Sequence, residues 1–141
     1  MSELKERIYA ILKEPQLAGL ATITEDGKPW VRYVMIMASE DLTTRCATFV
    51  TARKVGQIEN NPEVHLTCGT TSPTEMVPYL QIQGRAQLNT TKEARHAFWT
   101  DMLSQIFEGP DDPKYGVLEV TPYRIEFCSP GSYEPEVWTA S

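Results

Sequence analysis

The sequence predicts a mainly β protein: a closed or nearly closed antiparallel barrel with helices on its outside. Three observations carry that expectation. Most of the chain divides into short runs whose side chains alternate with the period of a strand. Most neighbouring runs are joined by tight polar turns, not by helices of regular length, which argues against a doubly wound parallel sheet. Only three segments show helical spacing, and a barrel is one way for so many short strands to dispose of their edges.

The elements follow in order. In Ser2–Glu14, Leu4, Ile8, Ile11 and Leu12 fall at helical spacing, and Pro15 stops the segment. Leu17–Thr24 is a β-rich run. Glu25-Asp26-Gly27-Lys28 follows it, and Asp-Gly between two such runs is a strong hairpin signal. The returning strand is Pro29–Ala38, with Trp30, Arg32, Val34, Ile36 and Ala38 on one face and Val31, Tyr33, Met35 and Met37 on the other. After a polar turn, Arg45–Thr51 is a third strand, expected to complete an antiparallel meander. Val55 and Ile58 mark a short helix from Arg53 to Asn60, closed by Asn61-Pro62. Glu63–Gly69 is a fourth strand, Thr70–Pro78 a loop, and Tyr79–Asn89 a long fifth strand. Thr90 and Glu93 form a capping-box pattern, and a helix is expected from there to about Phe107, with Ala94, Phe98, Met102 and Ile106 on one face. A loop over Glu108–Gly116 leads to two last strands, Val117–Val120 and Tyr123–Cys128, separated at Pro122. The tail, Ser129–Ser141, is polar, but Tyr133, Val137 and Trp138 suggest that it docks somewhere.

The bulk properties bound the function. At 141 residues the chain is expected to form one domain. The net charge is −6 and there is no Lys/Arg block, the wrong balance for displacing counterions from nucleic acid, although one small phosphate still fits a local basic spot. No apolar run reaches the length of a membrane span. The charged start, Met1–Lys13, lacks the apolar core of a secretion signal, so the expected compartment is the cytoplasm. Cys46, Cys68 and Cys128 are odd in number and widely spaced, which reads as free thiols that pack inside strands.

Catalytic patterns are scarce. His65 and His96 lie on different elements. There is no HExxH, no zinc-spaced Cys/His cluster, no GxSxG, no dinucleotide glycine fingerprint and no phosphate-cradling GxxxxGK[ST] loop. Asp111-Asp112-Pro113 reads better as a turn and cap than as a metal site. One cluster stands out. Arg32 lies on an otherwise apolar strand, and Thr51, Arg53 and Lys54 lie where the third strand gives way to a helix. If the second and third strands pair, these cations, a hydroxyl and helix-start N–H groups meet at one spot suited to a phosphate. The other reading is a solvated rim, with Arg32 paired to a carboxylate such as Glu25.

The ordered series Leu17-Ala18-Gly19-Leu20-Ala21-Thr22, Asp26-Gly27-Lys28-Pro29, Arg32, Phe49-Val50-Thr51, Arg53-Lys54-Val55, Ile58-Glu59-Asn60-Asn61-Pro62-Glu63-Val64 and Leu80-Gln81-Ile82-Gln83-Gly84-Arg85-Ala86 resembles the pyridoxamine 5′-phosphate oxidase-like split barrels. It resembles especially the general stress protein 26-like branch. Trp99, the Phe107–Pro113 loop and the Tyr123–Phe127 strand also correspond, so the resemblance covers about Leu4 to Phe127. It implies a Greek-key antiparallel split β-barrel that works as a homodimer, with FMN in clefts at the subunit interface. By position, Arg32, Tyr33, Val34 and Met35 would run beside the flavin, and Thr51, Arg53 and Lys54 would hold its phosphate. Gln57 and Gln83 would neighbour the site, and Trp138 would cover the flavin from the partner. Two departures stand out: Met37 replaces the lysine that ends the oxidase's flavin strand, and only Ala52 separates Thr51 from Arg53-Lys54, a shortened cradle. The expected function is a flavin-dependent oxidoreductase acting on a small molecule. The alternatives are a non-catalytic carrier of flavin or haem, and the same fold holding a deazaflavin.

Overall fold

The computed structural model describes residues 2–141. The elements are α1 (Glu3–Leu12), β1 (Gln16–Ile23), β2 (Pro29–Ala38), β3 (Thr44–Phe49), α2 (Arg53–Asn60), β4 (Glu63–Cys68), β5 (Tyr79–Asn89), α3 (Lys92–Phe98), a 3-10 helix (Asp101–Gln105), β6 (Tyr115–Cys128) and β7 (Glu136–Thr139). The strands are antiparallel in the order β3-β2-β1-β4-β5-β6, and β3 closes on β6. The result is a six-stranded barrel with helices outside, as the alternating runs predict. β4 lies beside β1 after the β1-β2-β3 excursion, which is a Greek-key arrangement.

Local chemistry explains the joints. Gly27 takes φ +81° in the β1–β2 turn, and Thr24 N–H bonds the Lys28 carbonyl at 2.7 Å to start the hairpin. Inward positions along the strands are apolar and sealed: Leu20, Ile36, Leu66, Leu80, Ile82, Leu118 and Ile125 are at most 2% exposed. α1 is capped by Ser2 Oγ, which accepts from Lys5 N, and it buries Ile8 and Leu12 against this core. α2 packs against β1 and β5 and buries Val55 and Ile58.

Three expectations need correction. The meander is incomplete, because β2 pairs β3 only at Met37–Arg45 and Ala38–Thr44. From Cys46 to Phe49, β3 pairs β6 instead. The helix expected to run from Thr90 to Phe107 is capped by Thr91, whose Oγ1 accepts from Ala94 N, and ends at Phe98. Trp99 and Thr100 are extended, and the 3-10 helix follows. The helical spacing of Phe98, Met102 and Ile106 is real, but it describes residues that share one apolar hollow, not one helix. Finally, the last two strands are a single strand, β6. Pro122 sits opposite Gly84 at a register shift, so the missing N–H interrupts the ladder without ending the strand. A Cβ on Gly84 would lie 2.7 Å from Val120 Cγ1 and 2.9 Å from the Thr121 carbonyl, which accounts for glycine at that crossing.

The tail docks on its own chain only from Glu136 onward, and Tyr133 stays fully exposed. β7 extends the sheet by pairing Glu136–Thr139 with Arg124–Phe127 of β6. Arg7 of α1 grips Glu136 through two hydrogen bonds at 2.7 and 2.8 Å, and its guanidinium lies 4.8 Å from the centroid of the Phe127 ring. Among the described residues, no helix is long and apolar enough to cross a membrane.

Candidate functional site

The incomplete meander creates the site. β2 pairs β1 from Pro29 to Ile36, but its other edge has no strand partner over that span among the described residues. The edge opens where β3 ends at Phe49 and α2 begins at Arg53. An unpaired strand edge offers backbone donors and acceptors to a planar polar ligand.

Arg32 stands at this opening and points inward. Its Nη1 donates to Thr22 Oγ1 at 2.7 Å and to the carbonyls of Leu20 and Trp30 at 3.2 Å. Its Nη2 donates to Gln57 Oε1 at 3.0 Å, and Thr22 Oγ1 donates to the same oxygen at 2.5 Å. Thr22 is fully buried, so this network is the floor of the corner. Burial holds the Arg32 guanidinium below its ordinary pKa, and the charge of Arg53 adds to the effect. The Lys54 ammonium is also held below its ordinary pKa. Burial is the main cause, Arg32 adds to it, and Cys46 acts in the opposite sense. Burial pushes the Cys46 thiol up to about 11 against the opposing charge of Lys54, so it stays neutral.

None of these three cations has an acidic partner. The ion pairs among the described residues join Arg7 to Glu3 and Glu136, Arg45 to Glu119, Arg85 to Glu63, His96 to Asp111, and Arg124 to Glu126. The alternative of an Arg32–Glu25 pair is therefore not what the fold builds. Arg32 and Lys54, half-buried and without a counter-charge, could receive an anion, whereas Arg53 is exposed. At the start of α2, Ala52 supplies no side-chain cap, which leaves N–H groups without a side-chain acceptor there.

The family model for pyridoxamine 5′-phosphate oxidase matches residues 4–129. The chain belongs to the pyridoxamine 5′-phosphate oxidase family. It is 31% identical over 133 residues to general stress protein 26 of Bacillus subtilis, with 94% of each chain covered. It is 30% identical over 151 residues to a pyridoxine/pyridoxamine 5′-phosphate oxidase of Rubrobacter xylanophilus, covering 87% of this chain and 70% of that one. The crystal structure of general stress protein 26 from Bacillus anthracis superposes with a TM-score of 0.84 at 26% identity, covering 99% of this chain and all of that one.

Within this member of the pyridoxamine 5′-phosphate oxidase family, the residues singled out by sequence divide into groups. Arg32, Arg53, Lys54 and Gln57 converge on the corner through the hydrogen bonds and charges described above. Thr51 is exposed on the turn between β3 and α2. Arg53 also borders an open polar hollow with Glu25, Asp26 and Glu59, so Arg32 and Lys54 are the cations that could hold an anion away from carboxylates. On β2, Val34 faces the core, whereas Tyr33 is 79% exposed on the outer face and Met35 borders an apolar hollow. Gln83 lies three strands away on the same outer face, in the row Val31, Ala21, His65, Gln83. Trp138 pairs with Ile125 and packs on the core of its own chain.

Sequence reasoning missed Thr22, the residue that fixes Arg32. Its signal was a lone hydroxyl at an inward position of an otherwise apolar strand. The acidic pair behaves as a turn and cap: Asp112 accepts from Glu108 N and Lys114 N, both at 2.9 Å, and Asp111 Oδ1 lies 2.7 Å from His96 Nε2.

Proposed function

We propose that this chain binds FMN along the open edge of β2 and acts as a flavin-dependent oxidoreductase on a small molecule. One observation carries the reading: Arg32 and Lys54 are half-buried, lack acidic partners and stand at the mouth of an unpaired strand edge. That set fits a phosphate at one end of a planar, hydrogen-bonding ring system. Lys54 would hold the phosphate, Arg32 would hold it while braced by Thr22 and Gln57, and the backbone of Arg32–Met35 would face the ring. Bound flavin would supply the redox chemistry, and the protein would position it.

The outer face of β1 and β2 supports a homodimer. Leu17, Val31, Tyr33 and Met35 are 46–79% exposed there, and neighbouring exposed apolar residues of this kind mark interaction sites. A second copy on this face would enclose the ligand and bring Gln83 and Trp138 of the partner within reach of the open edge, positions that neither can take in its own chain.

The test is the visible spectrum of the purified protein with added FMN, followed by NADH or NADPH under air. The proposal expects a retained flavin that bleaches with reductant and recovers with oxygen. Retained flavin that does not turn over would favour the carrier reading. Failure to retain micromolar FMN rules out both.

A further inference from the structure

Beside the open edge of β2 lies a second cavity, of about 430 Å³, between the β2–β3 strands and the α3/3-10 segment. Met35 and Met37 form one wall, Phe49 the end, and Phe98, Met102 and Leu103 the other wall. The volume falls in the range of small-molecule sites. Thr100 contributes the one side-chain hydroxyl of the lining, and no charged side chain lines it. Arg45, the register neighbour of Met37, is held by Glu119 at 2.9 Å.

We infer that this cavity is the substrate site of the proposed oxidoreductase, and that it takes an uncharged, flat, apolar molecule of about the size of a naphthalene ring. The inference rests on the flavin reading for the word substrate, though not for the ligand class. Its basis is charge complementarity. A phosphate or carboxylate placed among three methionine and phenylalanine walls would lose its hydration with no cation to replace it, whereas an apolar ring loses nothing. Arg32 and Lys54, the half-buried cations without acidic partners, lie outside the cavity's lining, at the corner where the flavin phosphate is placed. The methionines add a polarizable, adaptable surface that favours contact with an aromatic ring. The cavity also explains the break at Trp99-Thr100. A continuous helix to Phe107 would carry Met102 and Ile106 along one straight face; the turn into a 3-10 helix instead sets them around a hollow.

The experiment is a pair of calorimetric titrations of the FMN-loaded protein with 2-naphthol and naphthalene-2-sulfonate, which share the ring and carry an uncharged and an anionic substituent at the same position. The expected result is saturable binding of 2-naphthol, at least tenfold tighter than the sulfonate. Met102→Glu, a change at a half-exposed position, should weaken 2-naphthol at least tenfold and leave FMN affinity unchanged. Equal affinity for the two probes, or no saturable 2-naphthol binding, overturns the inference. So does competition between 2-naphthol and FMN, because the cavity would then belong to the flavin. If FMN does not bind but 2-naphthol still does with the same preference, the flavin reading fails and the assigned ligand class stands.

Discussion

Lys54 is the residue at which stability and binding part company. A half-buried ammonium without an acidic partner costs the folded state, a cost that the proposed anion would offset. Lys54→Met should therefore leave the melting temperature of the ligand-free protein equal or higher, while weakening FMN by about 1.5–3 kcal/mol, the size of a charged hydrogen bond. Thermal melts and FMN titrations of the same preparation read both. The pH dependence has a definite sign. In the proposed site the ammonium form would bind the phosphate, and its pKa in the free protein lies below 10.5. FMN affinity should hold through neutral pH and fall as pH rises through that lowered pKa. It should fall again below about pH 6, where the phosphate loses its second charge. Thr22→Val tests the floor of the corner. It removes the buried acceptor of Arg32 Nη1 and should cost about 1–3 kcal/mol in a denaturant melt. The cationic corner was legible in the sequence because Arg32 interrupts an apolar face. Thr22 was not, because one hydroxyl among strand residues has many possible partners and only the closed barrel selects Arg32 and Gln57.

At the scale of elements, alternation and turn chemistry located β1, β2, β4, β5 and α2 closely. Two long-range effects were invisible. The first is the divergence of β2 from β3, which depends on β6 competing for the same edge of β3. The second is the continuity of β6 through Pro122, which depends on Gly84 across the ladder. Gly84→Ala should destabilise the barrel by about 1–3 kcal/mol, since the added methyl meets Val120 and backbone at less than contact distance. The break after Phe98 was hidden for a related reason: the spacing of Phe98, Met102 and Ile106 satisfies helical periodicity whether the residues line one helix or one cavity. Thr91→Ala should cost α3 about 1 kcal/mol through the lost cap, whereas Thr90→Ala should be near neutral, which distinguishes the observed start from the capping box read in the sequence.

For the whole molecule, the barrel interior is filled by side chains, so a ligand as large as a flavin has to lie on the outside, and the proposed place is the β2 edge. Light scattering should report a dimer. Tyr33→Glu, at the centre of the exposed face, should shift it toward monomer and weaken FMN with it. The central claim is that an anion-receiving corner holds the coenzyme by its phosphate. The most direct measurement compares FMN with riboflavin by titration into ligand-free protein, since the two differ only in that group. The account predicts FMN at least tenfold tighter, with the difference largely abolished in Lys54→Met. Equal affinity for the two flavins would contradict it.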